Sequence, residues 1–307
     1  MKISVLMSTY NGEKFIEEQM ISIIDQTKRP DEVIIVDDCS TDSTIEIAEK
    51  VIRENDLEED WNIFRNEKNI GWRINFINGI KHITGDILFF SDQDDIWFKN
   101  KIETYCDIFN SDATINIIVS KETLWTSETA RPMCCIDDSN YSMIELSKRE
   151  DNYLIHTSGC CMAIRMDYVR KMLPYCFPGW AHDDFFWKMG ILDGSLAYMN
   201  TSSILHRITG TNESRKRATL EKAIWGAEID VLVAQKLLQR LANECVSNME
   251  EKRVILNHKL DGSNIRLRML KSKNPLLEMK LMIKYSDLYR KKRQIVGDYL
   301  RAIHVIR

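Results

Sequence analysis

The sequence predicts an α/β fold, a sheet flanked by helices, with a helical carboxy-terminal extension. Three observations carry this. Short apolar runs such as Val33-Ile34-Ile35-Val36 and Ile87-Leu88-Phe89-Phe90 read as strands buried on both faces. Each run is followed by a segment with apolar residues at helical spacing, the alternation expected of βαβ units. From about Ala218 onward the helical spacing continues without a further strand signal.

In chain order, Ile3 to Ser8 reads as the first strand, broken by Thr9-Tyr10-Asn11-Gly12. Glu13 to Gln26 carries Phe15, Ile16, Met20, Ile23 and Ile24 on one helical stripe. Glu32 to Asp38 is a strand ending in carboxylates, and Ser40 or Thr41 can cap the helix that runs to about Asn55. A short strand at Trp61 to Arg65, a helix from Gly71 to Ile83 and the Asp86 to Phe90 strand follow. Phe98 to Phe109 reads as a helix and Ile115 to Ser120 as a strand. Residues 121–152 are polar, contain Pro132 and show no sustained period, so a loop with fragments of structure is expected. Gly159 to Arg165 is a strand, Met166 to Leu173 a helix, and Ala181 opens another helix. Ser195 to Arg207 reads as strand or hairpin. The helical tail has expected breaks at Asp261-Gly262 and Asn274-Pro275.

The chain of 307 residues accommodates one large domain and a smaller appendage, here 1–212 and 213–307. Residues 213–307 hold 21 Lys/Arg against 11 Asp/Glu, leaving 21 basic and 35 acidic residues upstream. A basic tail on an acidic body points to an anionic surface as the tail's partner. No apolar run is long enough to span a bilayer, and Met1 to Met7 reads as a strand rather than a leader. The eight cysteines form no Cys-x-x-Cys, and the pairs Cys134-Cys135 and Cys160-Cys161 do not match zinc spacing, so reduced, mostly buried thiols are expected.

Three polar clusters follow expected strands: Thr9-Tyr10-Asn11, Asp37-Asp38 and Asp92-Gln93-Asp94-Asp95. In open α/β sheets ligands bind beyond the carboxyl ends of the strands. Three carboxylates in four positions repel one another unless a cation sits among them, which suggests a divalent metal shared with a phosphate. An acidic turn that caps the next helix is the alternative. If the strands are neighbours, one crevice offers an aromatic face at Tyr10, acceptors at Asp38 and Asp92, and a metal at Asp94. That inventory suits a nucleoside diphosphate. There is no Gly-x-Gly-x-x-Gly and no Gly-Lys-Ser/Thr loop, against a dinucleotide cofactor or a P-loop. No nucleic-acid partner is expected.

Ser8-Thr9-Tyr10-Asn11-Gly12, Val36-Asp37-Asp38-Cys39-Ser40-Thr41-Asp42 and Ser91-Asp92-Gln93-Asp94-Asp95-Ile96-Trp97 resemble the family 2 glycosyltransferases, over roughly residues 1 to 212. The wording of the third motif most resembles the bacterial rhamnosyltransferase-like branch. The resemblance implies the GT-A fold, a mixed Rossmann-like sheet, with a nucleotide-sugar donor, Mn²⁺ or Mg²⁺, and inversion at the anomeric carbon. It implies that Thr9, Tyr10, Asn11 and Glu13 line the nucleotide, that Asp38 accepts from the base and that Asp92 approaches the ribose or donor sugar. It further implies that Asp94 binds the metal and that Asn69, Gly71, Trp72 and Asn75 lie near the donor.

Inversion by direct displacement needs a base, because a sugar hydroxyl is a weak nucleophile until its proton is removed. His182-Asp183-Asp184 resembles the family's acidic motif at a helix start, and the following Phe186-Trp187 aligns the base with Asp183 rather than Asp184. Two aspartates favoured by the helix dipole are the alternative. One position departs from the pattern: Thr209 stands where relatives often have a His that reaches the metal or diphosphate. His206, three residues earlier, is expected on the opposite strand face. Arg207 and Arg215-Lys216-Arg217 could supply positive charge to the diphosphate instead. Trp97 and Trp180 could stack on sugar rings, although a place in the core is the commoner role for such residues. The tail from 275 to 307 interleaves apolar and basic residues, which suits a membrane surface, its own domain or a second subunit in a homo-oligomer.

The expected activity is therefore metal-dependent transfer from dTDP-rhamnose or a UDP-hexose to a glycan or lipid-linked glycan, in surface polysaccharide synthesis. The expected location is the cytoplasm, at the inner face of the membrane. A catalytically silent nucleotide-sugar-binding or scaffold protein is the alternative that Thr209 keeps open.

Overall fold

The computed structural model describes residues 1–126, 132, 134–147, 152–209, 219–244 and 246–303. The chain divides into two compact units. One comprises Met1–Ile144, His156–Gly190 and Ser195–Gly210; the other comprises Glu145–Ile155, Ile191–Gly194 and Thr211–Arg307. The expected division after residue 212 falls outside the described residues.

The first unit is a nine-stranded mixed sheet. Its strands are β1 (Ile3–Thr9), β2 (Glu32–Asp37), β3 (Trp61–Arg65), β4 (Ile87–Ser91), β5 (Ile96–Trp97), β6 (Ile117–Trp125), β7 (Tyr141–Ile144), β8 (Met162–Arg165) and β9 (Leu196–Arg207). The helices are α1 (Ile16–Ile24), α2 (Thr44–Glu54), α3 (Trp72–Gly79), α4 (Lys101–Ser111), α5 (Met166–Met172) and α6 (His182–Asp193), the last running on into the second unit. The strand order is β3-β2-β1-β4-β8-β6-β9-β5, with β7 on β9. β3, β2, β1 and β4 are parallel, whereas β8 runs antiparallel to both β4 and β6.

This order decides where a site can form. β1 lies between β2 and β4, with Thr9 opposite Asp37 and Met7 opposite Ser91. The loops that leave these three strands therefore emerge side by side at the carboxyl edge of the sheet. β1, β2 and β4 are held by a core of Val5, Met7, Val33, Ile35, Ile87 and Phe89, all without exposure. That is why these strands read as continuous apolar runs.

Two expectations are corrected. Part of 121–152 is strand, because β6 continues to Trp125 and β7 forms at Tyr141–Ile144. Beyond Ser120, β6 loses its apolar run: Lys121, Glu122 and Thr123 are exposed or half-buried, and its pairing with β9 passes through two register shifts. Such pairing is set by a distant strand and leaves no local period.

The second correction concerns the tail. The second unit holds α7 (Leu220–Asn243), α8 (Met249–Ser272), α9 (Pro275–Lys284) and α10 (Arg293–Ala302). α8 runs unbroken through Asp261-Gly262. The glycine is there for packing: a Cβ at Gly262 would come within 2.8 Å of Cδ1 of Tyr285 and would strike Leu288. The break at Asn274-Pro275 is real. Lys273 turns into the left-handed region (φ 59°), and the Asn274 side chain accepts from the Leu276 amide at 2.9 Å. Charges inside this unit are paired, as buried charges must be. Arg240 meets Asp193 and Glu244 at 3.1 Å, and Arg266 meets Asp230 at 2.8 Å and Asp298 at 2.9 Å.

Candidate active site

The loops after β1 and β2 are stitched together by hydrogen bonds. The Asn11 amide donates to Ser40 Oγ at 2.9 Å, and Asn11 Oδ1 accepts from the Thr41 amide at 2.8 Å. The Gly12 amide donates to Thr44 Oγ1 at 2.7 Å, the Glu13 amide to Asp42 at 3.1 Å, and the Ser43 amide to Glu13 at 3.2 Å. Beneath them Asp37, fully buried, accepts from the Thr9 hydroxyl at 2.9 Å and the Ser40 amide at 2.8 Å. Asn11 and Cys39, each just past a strand end, both adopt left-handed backbone (φ 49° and 65°). Asn tolerates this region, whereas Cys there is strain held by its surroundings.

Asp38 organises the next loop. Its carboxylate accepts from Asn66 Nδ2 at 2.9 Å and from the amides of Ile70 and Gly71 at 2.8 Å. Gly71 needs to be glycine, since its φ is 86°. Three donors fill most of the acceptor positions of a side chain that is only 2% exposed.

The acidic loop after β4 is arranged differently. Gln93 closes it onto the first loop, accepting from the Tyr10 amide at 2.8 Å and donating to the Tyr10 carbonyl at 3.0 Å. Tyr10 is thereby fixed through its backbone while its ring stays exposed. Asp92 and Asp94 are half-buried and Asp95 is buried. Desolvation, with Asp95 and Asp94 beside it, pushes Asp92 up to about 8. Burial and Asp94 push Asp95 up to about 7. Burial also raises Asp94, against the opposing pull of His206 and Arg207. Three carboxylates that resist ionising together form a site that favours a cation.

The electrostatic frame comes from β9. His206 Nδ1 lies 3.4 Å from Asp95 Oδ1 and 3.8 Å from Glu122. Arg207 donates its backbone amide to Asp95 at 3.2 Å and its Nε to the Asp94 carbonyl at 2.9 Å. Its guanidinium pairs with Glu18 and stacks over Trp125 at 4.6 Å. Arg207 is thus built into the wall of the site, clamping the acidic loop, rather than free to meet a diphosphate. Beneath the loop, buried Lys101 sits 3.8 Å over the Trp97 ring, and burial pushes it down to about 8.

Asp183 and Asp184 open α6, and their surroundings separate them. Asp184 accepts from Trp180 Nε1 at 2.8 Å and pairs with Lys188. Asp183 accepts only from the Asp184 amide, at 2.8 Å, among the bonds described. Burial, then the charge of Asp184, pushes Asp183 up to about 6, and Asp183 in turn raises Asp92. A half-buried carboxylate near 6 suits a general base at neutral pH. His182 is a packing residue: it lies among the rings of Phe76 (4.1 Å) and Phe90 (4.5 Å), neutral, with burial pushing it down to about 3.

A family model described as glycosyl transferase family 2 matches residues 4–173. The chain belongs to that family. It is 40% identical over 111 residues to dTDP-rhamnosyl transferase RfbG of Shigella flexneri; the match covers 34% of this chain and spans 38% of that protein. An uncharacterized glycosyltransferase of Haemophilus influenzae is 26% identical along 99% of this chain and 98% of its own length. Among solved structures, S. aureus TarS 1-349 in complex with UDP-GlcNAc superposes with a TM-score of 0.65 at 20% identity, covering 99% of this chain and 82% of that one. The mannosyltransferase PcManGT from Pyrobaculum calidifontis, in complex with GDP-Man and Mn²⁺, gives 0.54 at 14% identity, over 98% and 85%. The fold is the GT-A fold, a mixed sheet flanked by helices, as the motifs imply.

The geometry sorts the expected site residues. Tyr10, Asn11, Glu13, Asp38, Gly71, Asp92 and Asp94 lie on the loops at the strand ends, and the charge of Asp183 bears on Asp92. Thr9 and Asn75 do not face it. Thr9 is buried against Asp37, and Asn75 is buried with its amide donating to Ser8 Oγ and the Val36 carbonyl, both at 2.8 Å, and accepting from Asn66 at 2.9 Å. Trp97 and Trp180 are core residues, each 1% exposed, so neither is open to a sugar ring. Arg215-Lys216-Arg217 lie outside the described residues. His206 was expected on the wrong face, yet it joins the acidic loop. The structure adds Gln93, Lys101 and Arg73 to the site, the last through its charge on Asp183 and His182. Only Gln93, inside the acidic motif, left any sequence signal.

A divalent cation fits Asp95 and His206; Asp94, the expected ligand, is not part of the cluster of ligand atoms found among the described residues. Asp95 Oδ2 and His206 Nδ1 are buried atoms without a hydrogen-bond partner. Asp95, Cys160 and His206 bring ligand atoms within 4.8 Å of one another. The hydrogen bond with Cys161 and burial hold the Cys160 thiol protonated, so the carboxylates and imidazole are the better ligands.

Proposed function

We propose that this chain transfers a sugar from a nucleoside-diphosphate donor to a hydroxyl of a glycan or lipid-linked glycan, with inversion, in the cytoplasmic steps of bacterial surface polysaccharide synthesis. The observation that carries this reading is the pairing of roles at the strand ends. The loops after β1 and β2 are rigid and hydrogen-bonded, as a nucleotide platform requires, while the loop after β4 and Asp183 hold carboxylates raised from their ordinary values.

In this reading the exposed Tyr10 ring and Asp38 meet the base. Asp92 meets the donor sugar. Asp94, Asp95 and His206 would hold Mn²⁺ or Mg²⁺, which when bound takes up charge developing on the departing diphosphate. Asp183 accepts the proton of the attacking hydroxyl as its oxygen bonds to the anomeric carbon from the face opposite the leaving diphosphate. The Asp184 amide bond keeps the Asp183 carboxylate oriented. Arg207 holds the acidic loop at its working depth. The identity with RfbG favours dTDP-rhamnose as donor; the likeness to TarS keeps a UDP-hexose as the competing choice.

A thermal-shift screen of dTDP-rhamnose, UDP-GlcNAc, UDP-glucose and GDP-mannose, each with and without Mn²⁺, tests this. A cation-dependent stabilisation by one nucleotide sugar is expected. No shift with any of them would contradict the reading.

A further inference from the structure

Helix α9 is apolar on two sides. Leu281 is fully buried and Leu277 packs beside it in the core of the helical unit, with Met269, Leu270 and Ile295. That accounts for one face. On the other, Leu276 is 69% exposed, Met279 56% and Ile283 75%. At 100° per residue these three fall within one arc of about 60°, pointing away from Leu281. Exposed leucines scattered singly mean nothing, but a stripe along one ten-residue helix does.

The charges around the stripe say what it meets. Lys280 and Lys284 lie on the same helix, one and two turns beyond Leu276, on the flank of the apolar arc, and both are exposed. The stretch continues through exposed Arg290, Lys291, Lys292 and Arg293 into α10. The acidic residues here are few. Asp287 is held by Lys259 at 2.5 Å and His258 at 3.0 Å, and Asp298 is buried between Arg266 and Arg301. Glu278 alone on α9 is acidic, and burial raises it above the ordinary range. An exposed apolar stripe with lysines beside it, on a helix too short and too charged to span a bilayer, has the composition of an interfacial helix.

We propose that α9 docks on an anionic lipid surface, with Leu276, Met279 and Ile283 entering the headgroup boundary and Lys280 and Lys284 meeting lipid phosphates. An acidic protein would offer the lysines a partner but gives no reason for three bulky apolar side chains on a convex helix. The inference is independent of the catalytic reading, because every residue it uses belongs to the helical unit.

Co-sedimentation of the full chain with phosphatidylcholine vesicles, with and without phosphatidylglycerol, tests it, alongside L276S/I283S and K280E/K284E. Binding to phosphatidylglycerol vesicles that weakens in high salt is expected. Each double variant should lower the partition coefficient by about tenfold while leaving the circular dichroism spectrum unchanged, since all four positions are exposed. Three results would overturn the proposal: no retention on phosphatidylglycerol vesicles at low salt, equal retention of the variants, or concentration-dependent self-association in sedimentation velocity that L276S/I283S removes without any vesicle binding. The last would assign the face to a second copy.

Discussion

The two halves of the crevice differ in how completely their polar groups are matched. In the loops after β1 and β2 the polar groups are partnered across the two loops: Asn11 with Ser40 and Thr41, Gly12 with Thr44, and Glu13 with Asp42 and Ser43. In the loop after β4 and at the start of α6 the opposite holds. Asp92, Asp94, Asp95 and Asp183 are all raised from the ordinary carboxylate range, and Asp95 Oδ2 has no hydrogen-bond partner. A matched network rigidifies; an unmatched cluster of like charges costs stability until a cation or substrate completes it. In the proposed reading the first half is the nucleotide platform and the second the reacting side.

This contrast predicts opposite responses to mutation. Asp94→Ala should reduce the Mn²⁺-dependent part of donor affinity by about 100-fold, read by calorimetry with and without the cation. Equal loss without Mn²⁺ would show that Asp94 contacts the donor itself. On the matched side, Asn75→Ala removes three buried hydrogen bonds, to Ser8 Oγ, the Val36 carbonyl and Asn66, and should cost about 2–3 kcal/mol, lowering Tm by about 5 °C. Gln93→Ala releases both Tyr10 bonds that join the two halves; donor KM should rise about tenfold with kcat nearly unchanged.

The smallest effect should have the reverse sign. Asp92 is raised from 3.8 to about 8, so the folded chain holds a proton that the unfolded chain releases. Cation-free stability from this group is therefore present at low pH and is lost as pH rises from about 4 through 8. Asp92→Asn should remove that slope and raise the cation-free Tm at pH 8 by about 3 °C, although transfer is impaired. A lower Tm at pH 8 would mean that Asp92 is a structural acceptor rather than a strained site group.

The matched and unmatched halves were not equally legible in the sequence. The strands of the crevice were, because Ile3 to Ser8, Val33 to Val36 and Ile87 to Phe90 are buried on both faces and read as apolar runs. The acidic loop was visible because carboxylates at such spacing need a reason. The hydrogen-bond network was not. Thr9 and Asn75 have the chemistry of ligand contacts, and only burial shows them to be ties within the sheet. Simple strand alternation turns His206 away from Thr209, yet β9 carries His206 to the acidic loop next to Asp95. Asp183 could be chosen over Asp184 only by resemblance; the structure adds that Trp180 and Lys188 already occupy Asp184.

The central claim is that Asp183 is the base of a site otherwise able to bind donor. Asn at 183 keeps the oxygen that accepts from the Asp184 amide and removes only the basicity. Donor affinity in Mn²⁺ and the transfer rate should be measured together for Asp183→Asn, with the wild-type rate followed from pH 8 to 5. The account predicts donor affinity within about twofold of wild type and transfer reduced by about 10³-fold. Because Asp183 sits near 6, the wild-type rate should fall about tenfold per pH unit below that value as the base is protonated. A variant that transfers at the wild-type rate, or a wild-type rate flat between pH 7 and 5, would contradict it.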